Sequence, residues 1–309
     1  MQKITVSQFK RALAAREKLA AGAVAGQSTG AQVDAIRGSS TPQETFRLAV
    51  QSRYEAAKYL GAGGGLFSRS VVLVDEPFLI WASPHSNIIQ DSSIERSLSW
   101  AKIKIDDSGP DHDSILDSLT FYYLWENATA YYTVVDVSSF MTVSGVWQAR
   151  ASIYGQHSPG NPNDPDYDPA ATIALGGSAH LGLSANLALY QWWNSPPTLA
   201  PLQNAPDQQT QIGFLNVDLH AVPPDPLFKS AFMFKFFELK QTLLVIPPEG
   251  VLVAEVSFDV DHEVNHGHVI ADFSSGDGNQ VTSHWLHIAY VIAPPLTTTP
   301  VESPGTMHP

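Results

Sequence analysis

The chain contains no cysteine. Disulfides, thiolate metal ligands and cysteine nucleophiles are therefore excluded, and the redox state of its compartment is left open. Charge is also scarce: Asp, Glu, Lys and Arg make up 15% of the 309 residues, against about a quarter in an ordinary globular chain. Basic residues are fewer still, 17 against 30 acidic ones, for a net charge of −13. An acidic body repels phosphate, so nucleic acid is not an expected partner. No apolar run is long enough to cross a membrane as a helix. The N-terminus lacks the charged start and apolar core of a secretory signal. The cytoplasm is the default compartment, with leaderless export or incorporation into a particle as alternatives.

What is present points to β-structure. Apolar residues make up 44%, and 22 prolines and 21 glycines punctuate the chain. Tyr, Phe, Trp, Thr and Val suit pleated, half-buried surfaces. From residue 66 onward, short β-type runs recur at 71–74, 78–82, 98–105, 120–125, 131–137, 142–154, 171–175, 181–193, 211–219, 231–239, 242–246, 250–260, 268–273 and 283–292. Their spacing leaves no room for crossover helices. The expected fold is mainly β, an antiparallel β-sandwich over 66–293, one large or two small, with a jelly-roll winding as the candidate topology. Polar, proline-rich loops at 155–169 and 194–211 interrupt it, the first marking a sub-boundary; a Pro/Thr-rich, disordered tail is expected over 294–309.

An N-terminal two-helix arm is expected over 1–60. Thr5 and Gln8 form a capping box, and Val6, Phe9, Leu13, Ala20 and Val24 recur at helical spacing. After a small-residue loop at 26–40, Thr41-Pro42-Gln43-Glu44 opens a second helix with Phe46, Val50, Tyr54 and Ala57 on one face. Glycines within 61–65 end it as a flexible joint. Residues 1–60 carry nine Lys and Arg against four Asp and Glu, a balance of +5; the remainder carries eight against 26, a balance of −18. A basic arm beside an acidic body docks either on that body or on a second copy. The reading favoured by sequence is the second copy, through Val6, Phe9, Leu13 and Phe46, making the chain a self-assembling structural protein. A helical lid on the chain's own body is the alternative.

The densest chemistry lies in "DHEVNHGHVIAD" at 261–272, with three of eleven histidines. Val256, Phe258, Val260, His262 and Val264 alternate onto an apolar face, while Asp259, Asp261, Glu263 and Asn265 form a solvated acidic one. Asn265-His266-Gly267 supplies a turn, with 268–273 returning as the partner strand. The spacing His266-x-His268-x-x-x-Asp272 resembles the metal-binding motif of cupins. It has Asp272 where the motif has glutamate and Val260 where it has an upstream glycine. The resemblance implies a transition-metal enzyme, zinc, iron or nickel, using His266, His268 and Asp272, with His284 completing the set.

Other candidates are weaker. Asp164, Asp166 and Asp168 alternate as at the start of a calcium loop, but Pro169 and Leu175 occupy the places of its glycine and its bidentate acid. An irregular calcium site there is the remaining form. Gly176-Gly177-Ser178-Ala179-His180 lacks the final glycine and the following helix of a nucleophile elbow. Trp125 and Asn127, with Trp192 and Trp193, stand beside polar turns and suit a sugar-stacking platform, hence a lectin-like, glycan-binding alternative. Phe232, Phe234 and Phe236 read as a core strand. No nucleophile–base set or phosphate loop is present, so the expected role is non-enzymatic. No cofactor is expected beyond calcium or a transition metal at the candidate sites.

Overall fold

The computed structural model describes residues 4–25, 69–108, 111–157, 168, 170–194, 197–202 and 211–292. The second helix with Phe46, the glycine joint, Asp164, Asp166 and the C-terminal tail lie outside them. Among the described residues the chain forms one α-helix, α1 (Val6–Ala25), followed by fifteen strands. These are β1 (Arg69–Val74), β2 (Leu79–Ser83), β3 (Ile89–Ser93), β4 (Ser99–Asp107), β5 (His112–Glu126), β6 (Thr133–Ala151), β7 (Ile153–His157) and β8 (Thr172–Gly176). Then come β9 (Ser178–Asn194), β10 (Pro197–Pro201), β11 (Gln211–His220), β12 (Leu227–Ile246), β13 (Val251–Asn265), β14 (Gly267–Phe273) and β15 (Gln280–Ile292).

The fold is mainly β, two antiparallel sheets forming a sandwich. A seven-stranded sheet runs β1-β15-β4-β14-β6-β12, with β3 added at β4. A six-stranded sheet runs β10-β9-β13-β5-β2, with β11 added at β9. Strands before and after the loop at 155–169 interleave in both sheets: β5 pairs with β13, and β6 pairs with β12, β14 and β15.

Alternation fills the space between the sheets. Ala101, Ile103 and Ile105 of β4, Leu119, Phe121 and Tyr123 of β5, and Val256, Phe258 and Val260 of β13 are all buried there. Phe258 and Phe273 meet edge-to-face at 4.9 Å, one ring from each sheet. Tyr123 donates to or accepts from Ser283 Oγ at 2.7 Å, which gives its buried hydroxyl a partner.

Several expectations change. The runs expected at 231–239 and 242–246 are one strand, β12, whose register shifts between Gln241 and Leu244 instead of breaking. The loop expected over 194–211 contains β10, paired with β9. Strands β13 and β14 do not form a hairpin. β13 lies between β9 and β5, and β14 between β4 and β6, so the turn at His266 carries the chain from one sheet to the other. His266 takes φ 50°, and a Cβ on Gly267 would stand 2.5 Å from the Ser178 carbonyl oxygen. Two facing sheets and a tight corner leave no room there for a larger residue.

The N-terminal helix packs on the chain's own body, the arrangement given from sequence as the alternative to docking on a second copy. The Thr5–Gln8 capping box forms: Thr5 N–H donates to Gln8 Oε1 at 3.0 Å and Gln8 N–H to Thr5 Oγ1 at 3.3 Å. Phe9, Ala12 and Leu13 are buried, packed with Leu79, Tyr122, Trp192 and Val253 on the outer face of the chain's own six-stranded sheet. Val6 stays exposed. Arg16 Nη1 meets Glu255 Oε2 at 2.6 Å, and Lys10 and Arg16 lie over the rings of Trp81 and Tyr190. Apolar complementarity, not charge alone, seats the helix on this sheet.

Candidate functional site

Inward alternation continues past the apolar core to one end of the sandwich and there places ionisable groups inside it. Following Ile103 and Ile105 inward along β4 comes Asp107; preceding Leu119 on β5 comes Asp117; following Val260 on β13 comes His262. Buried charge must be paired or it is expelled. Here each finds a partner. His262 Nδ1 lies 2.8 Å from Asp107 Oδ2 and its Nε2 lies 3.2 Å from Asp117 Oδ2. His112 Nε2 approaches the same Asp107 oxygen at 2.7 Å, and His85 Nδ1 approaches Asp117 Oδ1 at 2.8 Å. The result is an unbroken row: His85, Asp117, His262, Asp107, His112.

Burial raises the cost of charge on His262, but its hydrogen bonds to Asp117 and Asp107 outweigh this and hold its pKa above the ordinary histidine value. Burial would likewise raise Asp107; the bonds from His262 and His112 instead hold it below the ordinary carboxylate range. Asp117 is held low in the same way by His262 and His85, against its own burial. A bond from Nδ1 to the Asp113 carbonyl, at 2.6 Å, is the main cause of the raised pKa of His112. An open cleft of ≈ 490 Å³ leads to the row, lined among others by Ile88, Gln90 and Ile105.

The residues singled out from sequence scatter around this row. His266 lies at the corner, stacked on Tyr154 at 3.5 Å and paired with Asp111 at 2.9 Å. His268 pairs with Asp106 at 2.8 Å. Asp272 stands four residues further along β14, about 13 Å away by strand rise, where it accepts from Ser274 and Ser275 and closes its own turn. His284 bonds Thr142 Oγ1 at 2.6 Å on the outside of the seven-stranded sheet. The cupin-like set does not converge, because His266 lies in the corner, His268 and Asp272 lie four residues apart along β14, and His284 lies on β15.

The sugar platform is also dispersed. Trp192 is buried beneath Phe9, with centroids 5.7 Å apart, and Trp125 leans on Tyr290 at 5.5 Å. Asn127 is fully buried, donating to the carbonyls of Tyr131, Ile246 and Pro247 and accepting from Thr129, so it clamps a turn. The side chain of Trp193 lies outside the described residues. Asp168 is exposed and accepts from the Ala170 N–H at 2.8 Å.

A second feature was hidden by the core-strand reading of 231–239. Phe232, Phe234 and Phe236 are 65%, 65% and 59% exposed, and Phe228 is 60% exposed. β12 is an edge strand, so Met233, Phe237 and Leu239 fill the interior while the phenylalanines face outward. Phe236 stacks on Phe140, which tilts against Trp285 at 5.4 Å, extending the aromatic surface across the sheet.

Fold and site define this chain no further than an antiparallel β-sandwich with a histidine–carboxylate end and an aromatic outer face. No protein-family model matches it, and no curated protein does. Among solved structures, the human polyomavirus 6 VP1 pentamer aligns at 8% identity, covering 74% of this chain and 94% of that one, with a TM-score of 0.16. A likeness this loose carries no argument about fold or function.

Proposed function

We propose that the chain is a non-enzymatic structural protein that self-associates through the outer face of its seven-stranded sheet. The carrying observation is the row Phe228, Phe232, Phe234 and Phe236, each about 60% exposed on one strand. Four such rings present on the order of 400–600 Å² of apolar surface, at the upper end of what a monomer tolerates and about half of one partner's share of a standard interface. Phe140 and Trp285 extend it.

The occupant is a second copy. Of the eight Lys and Arg beyond residue 60, Lys229, Lys235 and Lys240 lie on β12; Lys240 alternates onto the side of the phenylalanines, beside Phe140 and Trp285, and lessens the repulsion between two acidic bodies at this face. Lys235 follows the inward-facing Met233 on the edge, a placement that discourages uncontrolled strand addition. Association is therefore face to face, not edge to edge.

The finer fold reading is a jelly roll. Counting β4, β5, β6, β9, β11, β12, β13 and β14 as strands one to eight, the sheets run 1-8-3-6 and 2-7-4-5, an order that supports that winding. The winding serves shells, lectins and cupins alike and selects none of them.

Sedimentation velocity on the full chain at micromolar concentration tests the assembly. An oligomer is expected, reverting to monomer in Phe232→Ser/Phe234→Ser/Phe236→Ser with its circular dichroism unchanged. A monomeric full chain would refute it. A glycan on the same face is the second reading, favoured by a groove of ≈ 310 Å³ where Phe140 and Trp285 stand beside Asp136, Glu238, Lys240 and His287. A glycan array separates the two: retention lost in Trp285→Ala supports the sugar.

A further inference from the structure

We propose that Asp107, His112 and His262 form a binding site for one divalent transition-metal ion of zinc's class, in the mouth between the two sheets. This site is independent of the aromatic face and of the cupin-like set.

The donors converge. One nitrogen from each ring and a carboxylate oxygen all lie within 4.8 Å of one another, with Asp107 Oδ2 at 2.7 Å from His112 Nε2 and 2.8 Å from His262 Nδ1. Tetrahedral zinc holds nitrogen and oxygen at about 2.0–2.2 Å, which sets ligand atoms about 3.3 Å apart. Admitting the ion needs each contact to open by roughly half an ångström, within reach of a carboxylate rotation. Two nitrogens and one oxygen suit zinc, cobalt or nickel and not calcium, which takes oxygen.

The far sides of both rings are already arranged as a metal site requires. The Asp113 carbonyl can only accept, so His112 donates its Nδ1–H there at 2.6 Å, which leaves Nε2, now bonded to Asp107, as the atom that would exchange its proton for an ion. His262 Nε2 faces Asp117 Oδ2, leaving Nδ1 for the ion, and Asp117 is itself held by His85. This is the carboxylate–histidine–metal order in which an outer acid fixes the ring's tautomer. Without an ion, Asp107 accepts from both rings; a bound cation takes the place of those two protons between the same three atoms.

Access and exclusion are both provided. The side chain of His262 is 5% exposed, that of Asp107 13% and that of His112 23%, so the ligands grade from core to cleft. The ≈ 490 Å³ cleft leaves room for water or a partner's donor at the remaining coordination position.

The test uses the full chain, stripped with chelator and titrated with zinc chloride alone by calorimetry and equilibrium dialysis. One ion per chain is expected. His112→Ala, the most exposed ligand, lowers affinity at least 100-fold, whereas His266→Ala/His268→Ala leaves it within twofold. Asp117→Asn, a positioning change, weakens binding about 10–100-fold. Cobalt(II) gives a visible absorption band in the parent chain that His112→Ala loses. Near-ultraviolet circular dichroism confirms that each variant is folded; if His112→Ala is not, His112→Gln takes its place under the same outcomes. No stoichiometric ion on the folded chain, unchanged binding in the His112 variant, or loss in the His266/His268 pair would overturn the assignment.

Discussion

On the outer face of the six-stranded sheet, Phe78, Tyr122, Tyr190 and Trp192 lie under or beside α1; on the outer face of the seven-stranded sheet, Phe228, Phe232, Phe234 and Phe236 stand in solvent. Both faces are aromatic, so composition does not distinguish them. What differs is the availability of a complementary surface within the chain. α1 supplies Phe9 to fit among Phe78, Tyr122 and Trp192 at 5.2–5.7 Å, and Arg16 to neutralise Glu255. Among the described residues nothing comparable is presented to β12. An apolar face satisfied in cis contributes to stability, and the one left bare is the face proposed above to associate.

The largest effect is expected where the covered face is opened. Phe9→Ala removes a fully buried ring and should cost about 3–5 kcal/mol. The thermal midpoint falls, and Trp192, newly wet, shifts its fluorescence to the red. Retention of both signals would mean that the helix is not held by this ring.

Breaking the ion pair should do less. Arg16→Met strands Glu255 beneath the helix, against a pair only partly exposed (27% and 15%), and should cost about 1–2 kcal/mol. Because the loss comes from the unpaired carboxylate, Glu255→Gln in the same chain should restore most of it. A double variant no better than Arg16→Met alone would sink this account.

Asp259 is a smaller and opposite case. It is buried on the outer face of β13, and burial, with Glu255 nearby, raises its pKa despite bonds from Ser118 and Ser257. A raised carboxyl pKa means that the folded state binds the proton more tightly than the unfolded one. The contribution of Asp259 to stability therefore rises as pH falls through its folded value and is complete below the ordinary 3.8, opposite in sign to that of Asp107 and Asp117. Asp259→Asn should raise the neutral-pH midpoint by about 2–4 °C, the shift of about 1 kcal/mol in a domain of this size. Its advantage should shrink towards pH 4. An advantage independent of pH would assign the effect to something other than the charge.

The smallest change in folding free energy is expected on the bare face. Phe232→Ser/Phe234→Ser/Phe236→Ser should leave monomer stability within about 0.5 kcal/mol per site while abolishing association. Large destabilisation of the monomer would show that the face is covered in cis after all, and would erase the contrast with α1.

Much of this molecule follows from local pattern. The antiparallel β-class, most strand positions, the Thr5–Gln8 cap, the inward turn of His262 and the corner at Gly267 are set by residues a few places apart, where alternation and turn chemistry act directly. The candidate metal site was half legible. His262 was readable as an inward histidine, and Asp107 and Asp117 continue the inward registers of Ile105 and Leu119, a signal that a buried carboxylate needs a partner. What spacing cannot convey is that Asp107 and His262, 155 residues apart, are those partners; only the crossing of β13 into β14 between sheets brings them together. The same holds for Phe232, Phe234 and Phe236. Alternation places them together on one side of a strand, but whether that side faces core or solvent depends on which strand lies at the edge and which face the sheets share. Sequence determined the periodicities; tertiary structure decided which period-two face was inside, because that choice is made by the partner sheet and not by the strand.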